Sequence, residues 1–398
     1  MTASPALLVS AGSAPSPPAR SSSSRLVALD GLRGLAALVV VLHHTLLVAA
    51  PYLESRDGFA GTVWWSLTAT PLKVATAGGE AVVLFFVLSG LVVSLPALRG
   101  NGFSWSGFMA SRVIRIMLPV WAALVFASAL IVLIPRAPGQ APTNGWVADN
   151  NGMTLDPAAL LAEAFLTRYS YEIDNVLWSL RWEMLFSLLL PVFVLAVRAS
   201  ARWWVLAGAA GFAVTVAGFA MRDGSLSYLP TFFLGALIAV RLEPLREWAT
   251  RSADRAWFRW GWPVVLLLAL LGFVASWIIP ADDTGREALR SLSTLASVAL
   301  IGLAVVAAPL TRFLSSRICA WLGKTSFSLY LVHVPILIAL AYALGPDDWK
   351  ITVVAAPLIS LVVGYLFWRF VEKPSHRFAR FAGRRFAADA IPGGQPSR

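Results

Sequence analysis

Only a few ionisable residues in this 398-residue chain fall inside its long apolar runs. They are Asp30, Arg33, His43 and His44 in LDGLRGLAALVVVLHH (29–44), Glu80, Arg181 and Glu183 in VLWSLRWEMLFSLLLP (176–191), and His333 in KTSFSLYLVHVPIL (324–337). Charge within an apolar span is costly, so such residues mark a function or a compensated pair. Arg33 and His44 are 11 positions apart. At about 100° per residue, that spacing overshoots three full turns by about 20°, which puts both on one helix face about 16 Å apart. Asp30, one turn before Arg33, shares that face, whereas His43 is rotated about 100° away and reads as a structural hydrogen-bonder. An imidazole kept neutral in a low-dielectric interior keeps a lone pair for general-base work. An arginine lower on the same stripe can hold an anionic reactant. Phosphate-bearing donors from the cytoplasm meet that requirement.

Three further stretches carry chemistry. In ASRVIRIMLPVW (110–121), Arg112 and Arg115 are spaced to act either as ordinary inner-side anchors or as a phosphate clamp. Glu183 cannot be neutralised by Arg181, because i and i+2 do not face one another on a helix, so it needs a partner on another helix or a substrate. Trp178 reads equally as a boundary anchor or as a stacking platform for a sugar ring. In the last stretch Ser326, Tyr330 and His333 are spaced four and three, so they form one small polar face.

The elements that must position these groups are membrane helices. The chain is 58% hydrophobic and 13% charged, with a mean hydropathy of +0.71, far from the roughly 25% charged residues of a soluble domain. Apolar runs of bilayer-spanning length recur along it, which predicts an all-α polytopic bundle of about ten transmembrane helices. The predicted spans are 31–50, 76–98, 116–135, 176–197, 203–221, 226–241, 262–280, 289–309, 327–344 and 351–371. The net charge of +11 is no sign of nucleic acid. Most Lys and Arg fall in alternate connecting segments and the tail, while Asp149, Asp156, Asp174, Asp282 and Asp347 fall in the others. By the positive-inside rule this places both termini in the cytoplasm. The basic excess then faces anionic lipid head groups and anionic cytosolic ligands. Residues 1–25 read as a disordered cytoplasmic tail rather than a secretory leader, residues 26–380 as one membrane domain, and 381–398 as a flexible cytoplasmic tail. The single cysteine, Cys319, allows neither an intrachain disulfide nor a CxxC metal pattern, and no metal is expected.

Taken together, these stretches resemble the acyltransferase-3 family of integral membrane O-acyltransferases. LDGLRG…H resembles the family's Arg-x10-His opening, aligning Arg33 with His44. EAVVLFFVLSGLVV resembles its FFVLSG segment at Phe85, Phe86, Ser89 and Gly90, RVIRIMLPVW its paired-arginine segment, and WSLRWEMLF its WSLxxE segment at Trp178, Ser179 and Glu183. GKTSFSLYLVHVP and VEKPSHR resemble its closing segments, the latter placing Glu372 and Pro374. Two positions depart from the pattern: Val83 stands where an acid often precedes FFVLSG, with Glu80 nearby, and Arg181 stands where a small or apolar residue is expected. The extracellular esterase-like domain of some members is not expected here.

The resemblance implies acyl transfer from cytoplasmic acyl-CoA, acetyl-CoA above all, to a hydroxyl of a surface polysaccharide, a lipid-linked glycan or a glycosylated metabolite of macrolide type. It implies a multi-pass protein of the inner (plasma) membrane. Arg33, Arg112 and Arg115 are expected to bind the donor, and His44 to act as general base. Glu183 is expected to orient His44 or to bind the acceptor. Asp30, Ser89, Trp178, Ser179, Tyr330 and His333 are expected to line or support the site. The same buried His, Glu and Arg would also suit a proton-coupled transporter of a sugar or acid, or a carrier that only moves acyl groups across the bilayer for a partner enzyme. No internal repeat and no pair of Gly/Pro-broken spans favours the transporter.

Overall fold

A run of apolar residues in lipid has no water to satisfy its backbone, so it closes its own hydrogen bonds as helix. The computed structural model of the protein describes residues 21–54, 58–99, 102–137, 145–149, 154–167 and 171–389, and among these it is helical almost throughout, with no strand. The principal helices are α1 (Ser21–Leu53), α2 (Gly78–Arg99), α3 (Trp105–Leu133), α4 (Leu177–Leu188), α5 (Leu190–Ser200), α6 (Trp204–Ala220) and α7 (Gly224–Ser252). They continue as α8 (Ala256–Phe273), α9 (Asp283–Arg290), α10 (Leu292–Val306), α11 (Arg317–Leu344), α12 (Trp349–Phe367) and α13 (Lys373–Asp389). Side-chain caps set several starts. Ser104 accepts from Gly107 N at 3.2 Å before α3, and Asp223 accepts from Ser225 N and Leu226 N at 2.8 and 2.9 Å before α7. Gly345, at φ 78°, ends α11 in a conformation that L side chains rarely adopt.

Among the described residues, nine helical stretches are long and apolar enough to cross a membrane, against about ten expected. The difference lies at 176–221. The leg expected at 176–197 is two helices, α4 and α5, broken at Leu189 ahead of Pro191. α4 carries Arg181 and Glu183 and is too short to span alone. Trp182 packs on Gly224, Phe186 stacks on Phe232 at 4.5 Å, and Arg241 donates to the Ala201 carbonyl at 2.8 Å. α4–α5 therefore runs along α7 in α7's own direction. α6 returns the opposite way, with Gly218 against Leu226. Counting α5 and α6 as one stretch hides that reversal at 201–203.

Three sequence expectations change. The helix at the start of the chain begins at Ser21 and so takes in 21–25, expected as tail. The expected inner loop at 242–261 is mostly helix, since α7 runs on to Ser252. The stretch 381–389, expected to be flexible, is the second half of α13. It is held because Ala379, Ala382 and Gly383 are buried, and Gly383 sits against Gly107 of α3, where small residues let two helices close. Residues 1–20 and 390–398 lie outside the described residues.

Two glycine contacts fix the centre of the bundle. α1 and α11 run side by side in the same direction. A Cβ on Gly34 would lie 2.4 Å from Gly323 N, and one on Gly323 would lie 2.3 Å from Asp30 O. A Cβ on Gly90 of α2 would lie 2.1 Å from Phe232 O, and one on Gly235 of α7 would lie 1.9 Å from Val87 O. In lipid, where apolar burial does not drive helices together, such close backbone approach is a main source of packing.

Candidate active site

The α1–α11 contact sets the register of the site. Arg33 Nε donates to Ser326 Oγ at 3.0 Å and Arg33 Nη2 to Gly323 O at 3.1 Å. Three turns on, His44 Nδ1 lies 3.0 Å from His333 Nε2. The face shared by Arg33 and His44 is thus the face turned to α11. Asp30 is a loose companion of Arg33 at 4.0 Å, with its side chain 59% exposed.

A cavity of about 320 Å³ opens beside this seam, walled by residues of α1, α2, α3, α4, α11 and the turn into α13. One end is polar: Asp30, Arg33, Arg112, Arg115, Ser326, Glu372 and His376. Glu372 is buried in a π-helical turn, Trp368–Glu372, and accepts from Ser328 Oγ at 2.6 Å. The walls beyond are apolar, with Val82, Phe85, Phe86 and Leu88. At the far end Tyr330 and Ser179 share a hydrogen bond of 2.8 Å, and Tyr330 also donates to Val176 O at 3.2 Å.

The three arginines differ in what they hold. Arg33 is tied to α11. Arg112 forms an ion pair with Glu183 and donates to Ser187 Oγ at 3.1 Å, while Ser89 donates to Glu183 at 3.3 Å. Glu183 therefore finds its partner on another helix, and the partner is Arg112. Arg115 faces the cavity with no hydrogen bond or ion pair to any described residue.

Glu183 does not meet His44, and this corrects the expected pairing of base and acid. Glu183 stands at the level of Ser89 and Arg112, next to the arginine end, whereas His44 lies further along α1 and is held by His333 instead. Neither histidine is in the cavity wall. His333 follows Tyr330 by one turn of α11, and their rings are 5.9 Å apart, so the pair lies just past the cavity's far end. Trp146, on the short helix Trp146–Asp149, covers His44 with ring centroids 4.9 Å apart. Trp178 is not in the cavity wall either. It belongs to an aromatic cluster with Tyr228 at 5.6 Å and Phe86 at 6.3 Å. His43 donates from Nδ1 to Thr76 O at 2.9 Å and packs on Gly78.

The loop before α4 is positioned by a buried acid. Glu163 accepts from Ile173 N and Asp174 N at 2.9 Å each, fixing the segment that presents Val176 O and Ser179 to Tyr330. Burial pushes the Glu163 carboxyl above its usual range, against the pull of those backbone donors. Burial, with Glu163 alongside, pushes Asp174 well above it. The sequence reading missed Ser187, Glu163, His376 and Trp146. Ser187 was findable, since it lies four residues after Glu183 and shares its face. Trp146 carries no periodic signal, because its helix has four residues.

Comparison with known proteins decides the family. The profile of the acyltransferase-3 family, described as an acyltransferase domain, matches residues 26–369. The chain belongs to this family. It is a multi-pass, all-helical membrane protein, and the chemistry of its family is the transfer of acyl groups. It is similar to the O-acetyltransferase PaAT-1 of Phomopsis amygdali, 27% identical over 373 residues, which covers 80% of this chain and 73% of that protein. It is also similar to the acyltransferase MdmB of Streptomyces mycarofaciens, 26% identical over 400 residues, covering 92% and 95%. No solved structure matches the chain.

Proposed function

We propose that this acyltransferase moves an acetyl group from cytoplasmic acetyl-CoA to a hydroxyl of a glycan or glycosylated metabolite, with His44 as general base. The observation that carries the reading is Arg115: a guanidinium with no hydrogen bond or ion pair among the described residues, at the polar mouth of a cavity whose far end abuts the histidine pair. In this reading the arginine end faces the cytoplasm, as the basic loops and tail require. A phosphate of CoA meets Arg115, with Arg33 and His376 beside it, and the thioester arm lies between the apolar walls toward Tyr330. Arg112 is engaged by Glu183, so its part is to hold the wall and add positive potential rather than to clamp phosphate. Glu183 serves as the counter-charge of Arg112. The relative named an O-acetyltransferase supports both an oxygen acceptor and an acetyl group.

The acceptor oxygen attacks the thioester carbonyl as its proton passes to the lone pair of His44. The new C–O bond forms and the C–S bond breaks. The CoA thiolate then takes the proton back from the imidazolium, so the products are the ester and free CoA. In this reading the Tyr330 hydroxyl, at the cavity's end, turns its proton from Val176 O to the carbonyl oxygen as that oxygen gains charge.

The test is CoA release from acetyl-CoA by the purified protein in detergent, with and without candidate glycan or glycolipid acceptors. Acceptor-dependent release is expected, falling by about 10²–10⁴-fold in His44→Ala, the range that one general base supplies. Release that survives the substitution removes His44 from the chemistry. Uptake of a sugar into proteoliposomes without CoA release would replace the reading with transport.

A further inference from the structure

Hydrogen-bond logic at the histidine pair reaches further than the pairing itself. His333 is fully buried. Its Nδ1 lies 2.8 Å from Tyr330 O and 3.2 Å from Leu329 O. A carbonyl oxygen only accepts, so that nitrogen carries a proton. In the neutral ring the other nitrogen, Nε2, is then bare and accepts. It faces His44 Nδ1 at 3.0 Å. His44 Nδ1 also faces Val40 O at 3.1 Å, a second pure acceptor. Both neighbours of His44 Nδ1 therefore call for a proton there. The reverse arrangement, with His333 doubly protonated and His44 Nδ1 bare, would set a lone pair against the Val40 carbonyl. One reading satisfies all four contacts: proton on Nδ1 of each ring. His44 Nε2 is left as a lone pair, and it takes no hydrogen bond from any described residue.

We propose that His333 is a positioning residue that locks His44 in its Nδ1–H tautomer and so makes His44 Nε2 the basic atom. Free imidazole side chains prefer the opposite tautomer, and what selects the form in a protein is the hydrogen bond made by the other nitrogen. His333 in turn is held by two carbonyls of its own helix. α11 therefore dictates the protonation pattern of a residue on α1 through the glycine-packed seam between them. The assignment rests on the acyl-transfer reading only for what the lone pair does, not for where it is.

Two measurements separate these. The chain has four histidines, few enough for solid-state nuclear magnetic resonance of ring-¹³C,¹⁵N-histidine protein in lipid bilayers, with signals assigned through His43→Gln and His376→Gln. The expected spectrum shows His44 protonated on Nδ1 and bare on Nε2. In His333→Leu the His44 signal is expected to shift to the Nε2–H form or to a mixture. A wild-type His44 protonated on Nε2, or a His333→Leu spectrum in which His44 is unchanged, overturns the assignment. The second measurement is turnover. His333→Leu is expected to lower kcat by about 10–100-fold, in the range for an orienting partner, with KM for acetyl-CoA unchanged. His333→Gln, which offers an acceptor oxygen near the same point, is expected to recover most of that loss. Equal loss in both variants, with His44 still Nδ1-protonated in His333→Gln, indicates a merely structural histidine and overturns the positioning role. If no acyl transfer is found while the spectrum is as expected, the acyl-transfer reading fails and the tautomer assignment stands.

Discussion

Two polar clusters lie within this bundle, at opposite ends of α2, and they are built in opposite ways. At the end where α2 begins, Lys73 is 2% exposed and its ammonium rests 3.9 Å from the centre of the Trp277 ring. Trp277 Nε1 donates to Glu80 at 3.0 Å, and Glu80 is 4% exposed. Burial pulls the Lys73 ammonium below the usual lysine range, and the Glu80 charge pulls it back. Arg290 beside them pairs with Glu287 at 2.9 Å. Every charge there has its counterpart within the protein. At the other end the cavity is lined by Arg33, Arg112 and Arg115 together with Asp30, Glu183 and Glu372, yet Arg115 makes no hydrogen bond or ion pair with any described residue. The difference is one of bonding rather than of net charge: charges tied to one another hold helices together, while a guanidinium without a bonded partner keeps its donors free for an incoming anion.

The largest effect that tests this contrast comes from Arg112→Ala, which strands Glu183 in the cavity wall. Removing one partner of a buried pair costs on the order of 3–5 kcal/mol, lessened here because the Glu183 side chain is 25% exposed to the cavity. The melting temperature in detergent is expected to fall and turnover to vanish. The double variant Arg112→Met/Glu183→Leu is expected to melt near wild type while staying inactive. An Arg112→Ala protein with wild-type melting would show that the pair does not hold the wall.

The next effect distinguishes the two ends directly. Arg115→Gln removes the cation that has no hydrogen bond or ion pair among the described residues. A charged hydrogen bond contributes about 1.5–3 kcal/mol, so under the proposed donor reading KM for acetyl-CoA is expected to rise about tenfold to a hundredfold with melting unchanged. Lys73→Met is expected to do the reverse, lowering the melting temperature and leaving KM alone. Steady-state kinetics and melting curves on the two variants check this, and an exchange of the two patterns would invert the comparison.

The smallest effect is a pH slope. Asp174 in the folded protein keeps its proton at pH values where the unfolded chain has released it. A raised carboxyl of this kind favours the fold fully below the ordinary aspartate range near 4. That contribution is lost as pH rises from there toward the native value. Asp174→Asn has no such proton to lose. It is expected to melt higher than wild type at pH 7, with the gap closing toward pH 4. A gap that widens on acidification would mean that Asp174 is charged in the fold.

Much of this was legible along single helices. Hydropathy located the spans because lipid permits little but helix, and helical period put Arg33 and His44 on one face, which is the face α11 covers. What could not be read was contact between helices. The spacing within 176–191 says that Glu183 needs a partner but not that Arg112 supplies it. Nothing in 324–337 says that His333 meets His44. The paired Arg112 and Arg115 look alike in sequence and differ only in which way their neighbours face. The glycines of LDGLRG and GKTS carried a signal for the α1–α11 seam, since small residues mark close helix contacts, but a glycine does not name its partner.

The seam also has a consequence in time. Arg33 and Ser326 are 293 positions apart, and His44 and His333 are 289 apart. A ribosome feeding this chain into a bilayer delivers α1 first and α11 near the end. Until α11 arrives, the first helix sits in the lipid with an arginine and a histidine that lack their partners, and no fragment that stops short of α11 can assemble the site. The protein is inert throughout most of its own synthesis, and the two ends of its message have to be read before it can act on anything.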